Sequence, residues 1–313
     1  MGSIRTKALR VALLLAVVSA ATPVAEADDP SFSGERAMGH LETIVAIGPR
    51  VSGSEGMTKQ RELLVEHFRA AGAKVTIQGF QIRDRRTGKP VAMENLVIEW
   101  HPERSDRVLL GAHYDTRPFP DRDPVDPRGT FVGANDGASG VALLMELSGA
   151  MAALEGPVGV DFVLFDAEEY VFAARDPYFL GSTHFARQYA AGRKSGDVPH
   201  RYRCGLVLDR VADADLEIGQ EINSLSWPDT RPVVEEVWEV ARRMGVKQFV
   251  ARPKYAVEDD HVPLRNLGRI PTADIIDFQY PAWHTTRDTA DACSGESLGA
   301  VGSVVLEWLR GQR

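Results

Sequence analysis

Short apolar runs alternate with amphipathic segments along most of the chain, and several of the runs stop abruptly at a charged residue. Residues 33–47 and 56–71 carry apolar side chains at helical spacing and predict two helices at the start of the fold. Residues 74–80 alternate as a strand, and 95–100 and 107–112 predict two more. Beyond a loop at 115–131, residues 138–151 predict a helix, 161–166 a strand, 181–191 a helix and 205–209 a strand. A helix at 231–244, a short strand at 248–251, an apolar run at 270–276 and a helix at 297–309 complete the chain. Strands alternating with helices predict an α/β protein: a single three-layer α/β/α domain with a central mixed, mostly parallel sheet. No repeat, low-complexity tract or linker divides it. The loop at 115–131 holds Pro118, Pro120, Pro124 and Pro127 and is long for a compact domain, which makes it a candidate substrate rim; a second loop spans 170–179.

The ends of the apolar runs carry the chemistry. The strand at 161–165 stops at Asp166, Glu168 and Glu169, three carboxylates within four residues. Two like charges about 4 Å apart cost on the order of 4 kcal/mol at an effective dielectric of 20. A fold keeps such a cluster beside a buried strand when a cation or a raised pKa relieves it. The same event recurs: 107–112 leads to His113 and Asp115, 205–208 to Asp209, and 270–276 to Asp277 and then Trp283-His284. Asp136 stands just ahead of the helix at 138–151. Ligands of open α/β sheets bind outside the carboxyl ends of the strands, and imidazole with carboxylate is the ligand chemistry zinc takes in catalytic sites.

Asp136, Glu169 and His284 are therefore the candidate ligands of one Zn²⁺, with a position left open for substrate or water. Glu168, one residue displaced, is expected to face the cavity and to move protons beside that Lewis acid. His113 and Asp209 could complete a second metal site with Asp136 as the bridge. Alternatively Asp209 carries no metal and joins Asp259 in an acid network; spacing does not separate the two. Asp115, on the same side of an extended chain as His113, is expected to orient that imidazole. Trp283 and Asp115 are the candidate substrate contacts.

Composition narrows the setting. Arg5, Lys7 and Arg10 precede the apolar run 11–18, and Ala25-Glu26-Ala27 offers a small-residue cleavage site, so residues 1–27 read as a cleaved export signal. The run is too short to span a bilayer, and no stable membrane insertion is expected after cleavage. The expected mature chain, residues 28–313, is periplasmic or secreted. Removing residues 1–27 takes away three bases and Glu26, leaving 33 Lys and Arg against 43 Asp and Glu, a net charge of −10. That excludes nucleic acid and anionic lipid as expected partners, since both need a basic face. Cys204 and Cys293 are the only cysteines, too few for a disulfide framework, and spacing does not show whether they pair.

From Asn95 onward the chain resembles the M28 zinc aminopeptidase superfamily. The resemblance runs through His113-Tyr114-Asp115, Gly133-Ala134-Asn135-Asp136-Gly137, Asp166-Ala167-Glu168-Glu169, Asp209 and His284-Thr285. Within it the chain is most similar to the glutaminyl cyclases of animal type. That narrower likeness rests on Phe131-Val132 before Gly133, the insertion at 170–179, Glu258-Asp259-Asp260-His261-Val262-Pro263, and Trp283 directly before His284. The resemblance implies one zinc on Asp136, Glu169 and His284, Glu168 as proton shuttle, and Asp209 and Asp259 in a supporting acid network. It also implies peptide or protein N-termini as substrates, with N-terminal glutamine cyclised to pyroglutamate and ammonia released. Three features depart from the cyclase pattern. Tyr170-Val171-Phe172 stands where a tryptophan follows the Glu-Glu pair, Gly137-Ala138-Ser139-Gly140 is closer to the aminopeptidases, and Ala112 precludes a disulfide at that position. The rival reading is an aminopeptidase with two zinc ions on the same residues. A non-catalytic peptide-binding module is disfavoured by the intact Glu168.

Overall fold

The computed structural model describes Gly2 and residues 31–312; apart from Gly2, the expected export signal lies outside the described residues. The central sheet has six strands in the order β1 (Lys74–Arg83), β2 (Pro90–Trp100), β4 (Gly159–Phe165), β3 (Asp106–His113), β5 (Arg201–Asp209) and β8 (Thr272–Ile276). β3, β4, β5 and β8 pair in parallel, while β2 runs antiparallel to both β1 and β4. β3 and β4 are apolar almost throughout because helices cover both faces, as buried parallel strands require.

Alternate residues of these strands serve opposite layers. Val108, Leu110, Phe162, Leu164, Leu206 and Leu208 pack into the larger core with α1 (Gly34–Val45), α2 (Glu55–Ala70), α3 (Ser139–Met151), α6 (Arg231–Met244) and α8 (Gly295–Arg310). Leu109, Val163, Phe165 and Val207 face α4 (Leu180–Ser195) and α7 (His261–Asn266). Serines start three of the helices: Ser33, Ser54 and Ser294 accept from the backbone N–H of Arg36, Met57 and Glu296. The expected three layers are present. The additions to the expected elements are short: β6 (Ile218–Glu221), which pairs in parallel with β7 (Phe249–Tyr255), α5 (Ile222–Ser226) and α7.

After β3 the chain moves to one side of that strand to make β4, then crosses to the other side to make β5. The crevice between the carboxyl ends of β3 and β5 is thus the switch point of the sheet, where such folds place their ligands. Among the described residues no helix is long and apolar enough to cross a membrane. Cys204 and Cys293 are both free thiols.

Candidate metal centre

His113 ends β3, Asp209 ends β5, Glu168 and Glu169 follow β4, Asp136 precedes α3, and His284 lies in the loop after β8. All six are buried, and they meet at the switch point. Asp136 is the hub. Its Oδ1 lies 3.3 Å from His113 Nε2, and its Oδ2 lies 3.5 Å from His284 Nε2. His284 Nε2 is also 2.8 Å from Glu169 Oε1, and His113 Nε2 is 3.3 Å from Asp209 Oδ1. Two three-residue groups therefore share one aspartate: Asp136–Glu169–His284 and Asp136–His113–Asp209.

The residues suit a divalent cation. Asp136 Oδ2 and Glu169 Oε2 are buried without a hydrogen-bond donor, although buried polar atoms are almost always satisfied. His113, Asp136 and Glu169 each present a ligand atom within 4.8 Å of the others. By distance alone both imidazoles qualify as partners of Asp136 and Glu169. Asp121 Oδ1 lies 3.1 Å from His284 Nδ1 and Asp115 Oδ1 3.7 Å from His113 Nδ1, and neither Nδ1 makes a hydrogen bond.

The charges respond to one another. Burial opposes protonation of His284, yet Glu169, Asp121 and Asp136 raise it to about 9. Burial likewise opposes protonation of His113, and Asp115, Asp136 and Asp209 outweigh it and hold the ring well above its ordinary value. Burial, and then the adjacent Glu169 charge, push Glu168 well above the usual carboxylate range. Asp259 is pushed up to about 6, first by burial and then by the Asp209 charge. Asp166, the first of the three clustered carboxylates, rises to about 7 through burial and turns away from the centre, where its Oδ2 accepts from Glu94 N at 2.7 Å.

Loop geometry fixes the hub. Gly133 and Gly137 bracket Asp136 with φ of 52° and 93°. A Cβ on Gly137 would lie 2.4 Å from Asp115 O and 3.2 Å from His113 Cε1, so only glycine lets the chain pass this close to β3. Asp288 accepts from the backbone N–H groups of Asn135 and Asp136 at 2.8 and 3.1 Å. Arg50, fully buried, donates to the carbonyls of Val132 and Gly133 at 2.6 and 2.9 Å.

The sequence expectation for Asp115 needs correction. It is buried beneath the centre and does not reach the cavity wall, so it is not a substrate contact. Its carboxylate accepts from the backbone N–H groups of Glu168 and Glu169 at 3.0 and 3.1 Å, holding the Glu-Glu turn in place. Its distance to His113 Nδ1 is 3.7 Å, too long for a hydrogen bond. Asp115→Asn would set an amide NH₂ against one of the two backbone donors, and we expect a roughly 10- to 100-fold fall in kcat/KM with zinc affinity reduced alongside it, read by steady-state kinetics and metal titration.

A cavity of about 320 Å³ opens above the centre. Glu168, Asp209, Asp259 and Trp283 line it; so do Arg117, Asp121 and Arg122 of the Pro-rich loop, and Tyr178 and Phe179 of the second long loop. Tyr170 and Phe172 turn away instead, packing with Arg86 of the β1–β2 hairpin. Trp283 is half-buried, with the Arg122 guanidinium 4.0 Å from its ring centroid and that of Arg210 4.9 Å away. Sequence reasoning missed four residues here: Arg50, Arg117, Arg210 and Asp288. Arg117 Nη1 lies 3.3 Å from Glu169 Oε1 and Arg210 Nη2 lies 3.1 Å from Asp209 Oδ2. A charged residue directly after Asp209 was the one local signal available.

Known proteins resemble this chain along most of its length. Residues 95–309 match the sequence profile of peptidase family M28. The glutaminyl cyclase of Fimbriiglobus ruber is 39% identical, covers 91% of this chain with 98% of its own, and superposes with a TM-score of 0.86. A leucine aminopeptidase precursor from Bacteroides thetaiotaomicron is 29% identical over 91% of this chain and 99% of its own, with a TM-score of 0.84. The mouse glutaminyl-peptide cyclotransferase-like protein is 26% identical over 77% of this chain, which spans 66% of that protein's length. Cyclases and exopeptidases alike place this chain among enzymes. It belongs to peptidase family M28, in the part of that family that holds the bacterial glutaminyl cyclases.

Proposed function

We propose that this chain is an exported, zinc-dependent glutaminyl-peptide cyclotransferase, working as residues 28–313 and converting N-terminal glutamine to pyroglutamate with release of ammonia. Asp136, Glu169 and His284 would hold one zinc ion, and when bound it would polarise the γ-amide carbonyl of the substrate. Glu168 stands on the cavity side of that group, buried and with its proton affinity raised, which suits a residue that accepts a proton and returns it. It takes the proton from the substrate α-amine as that nitrogen closes on the side-chain amide carbonyl carbon, Cδ, and delivers it to the amide nitrogen that departs from that carbon as ammonia. Trp283 supplies an aromatic wall for the glutamine side chain, and the Pro-rich loop closes the rim. No water is consumed, so nothing in the reaction calls for a second metal to carry one.

The observation that favours cyclisation over hydrolysis is the state of Asp209. A two-metal aminopeptidase needs that carboxylate for its second ion. Here it pairs with Arg210, and its charge raises the proton affinity of the buried Asp259. That pairing supports the acid-network alternative for Asp209. The test is to incubate the 28–313 chain with one Gln-initiated and one Ala-initiated peptide. We expect the first to lose the mass of ammonia and the second to stay intact; release of a free amino acid from either would replace the cyclase reading by the peptidase one.

A further inference from the structure

We propose that Arg210 is a built-in cation that takes the charge role of a second metal ion and keeps the centre mononuclear. This deepens the one-zinc reading above and rests on it for the first site alone. The group Asp136–His113–Asp209 is, by residue type, a complete ligand set: His113 Nε2 lies 3.3 Å from an oxygen of each carboxylate. Residue identity therefore does not stop a second zinc from binding there. Arg210 does.

Arg210 follows Asp209 directly and has a φ of 49°. A non-glycine residue in the left-handed region is uncommon and marks a locally enforced turn. Successive side chains of a strand point to opposite faces. This turn instead brings residue 210 back beside residue 209, with Nη2 3.1 Å from Asp209 Oδ2. Arg210 is 5% exposed, and its guanidinium sits against Phe278 and Trp283, 5.2 and 4.9 Å from their ring centroids. Asp209, Asp136, Asp259 and Glu169 all act on it electrostatically. A lysine in this position could shed its proton to admit a metal; an arginine cannot. A dication several ångströms from a fixed guanidinium loses on the order of a thousandfold or more in affinity even at an effective dielectric of 20, unless another carboxylate offsets that charge, as Asp121 does for Arg117 beside Glu169 through hydrogen bonds of 2.8 and 2.9 Å. Arg210 also satisfies Asp209, so the acid pays no penalty for going without a metal.

The test is metal stoichiometry. Metal-free wild-type protein titrated with Co²⁺, and with Zn²⁺ followed by elemental analysis of the dialysed protein, is expected to saturate at one ion per chain. R210M keeps an unbranched side chain against Trp283 and removes the charge; it should take up a second ion. Adding D209N to R210M should return the count to one, which places that second ion on Asp209. If R210M does not fold, R210Q, whose amide can still donate to Asp209, carries the same expectation of two ions. Two tightly held ions in the wild type, or one ion in a folded neutral variant, overturns the proposal. The peptide assay separates this outcome from the functional one. Hydrolysis by a one-ion wild type defeats the cyclase reading and leaves Arg210 its role, whereas cyclisation by a two-ion wild type does the reverse.

Discussion

Glu168→Gln is expected to lower turnover of a Gln-initiated peptide by about 10²- to 10⁴-fold, the range a general acid–base residue contributes, while zinc content stays at the wild-type level. The two halves of that result have different origins. Glu168 lines the cavity but is absent from the short distances that join Asp136, Glu169 and His284. Its backbone N–H, which donates to Asp115 Oδ1, is untouched by the substitution, so the turn that presents Glu169 survives. Burial already pushes the Glu168 carboxyl towards its neutral form, and a neutral amide of the same shape introduces no new desolvation cost. What disappears is the ability to accept and return a proton. Peptide kinetics and elemental analysis of one preparation check both halves. Zinc lost together with activity would make Glu168 a ligand, and unchanged turnover would remove it from the reaction.

Much of this centre can be read from the chain because of how parallel strands are buried. β3, β4 and β5 are covered on both faces, so their apolar runs are unbroken and their ends are abrupt. Polar residues at those ends, His113, Glu168-Glu169 and Asp209, stand out against that background and lie at the edge where the sheet binds ligands. The residues that hold the centre in shape leave no such trace. Arg50 and Asp288 act on backbone groups 82 and 153 positions away, through hydrogen bonds that no local periodicity records. Asp115 reads in sequence as the partner that orients His113 because it follows by two residues; in space its carboxylate accepts from the backbone N–H groups of Glu168 and Glu169 instead. The short elements escaped for a related reason: four residues of β6 and five of α5 are too few to show a period, and they form because β7 and β8 offer them partners.

Asp136→Asn should abolish stable zinc binding, with occupancy falling below roughly a tenth of an ion per chain and turnover falling with it. Asp136 lies 3.3 Å from the His113 imidazole and 3.5 Å from that of His284, and its substitution removes a ligand from either three-residue group at once. The change is nearly isosteric. Gly133 and Gly137 keep their turns, and the backbone N–H of residue 136 still donates to Asp288. A collapsed loop therefore does not account for the loss. Thermal unfolding with and without zinc gives the second readout. An ion that binds only the folded chain stabilises it by about 2.7 kcal/mol at a free concentration 100 times Kd, which shifts the Tm of a domain of this size by about 5–10 °C. The wild type should show that shift and Asp136→Asn should not. Taking the difference within each protein cancels the separate cost of leaving His113 and His284 beside a neutral amide, a cost both titrations contain. A full zinc-dependent shift in the variant would mean that the ion sits on other residues.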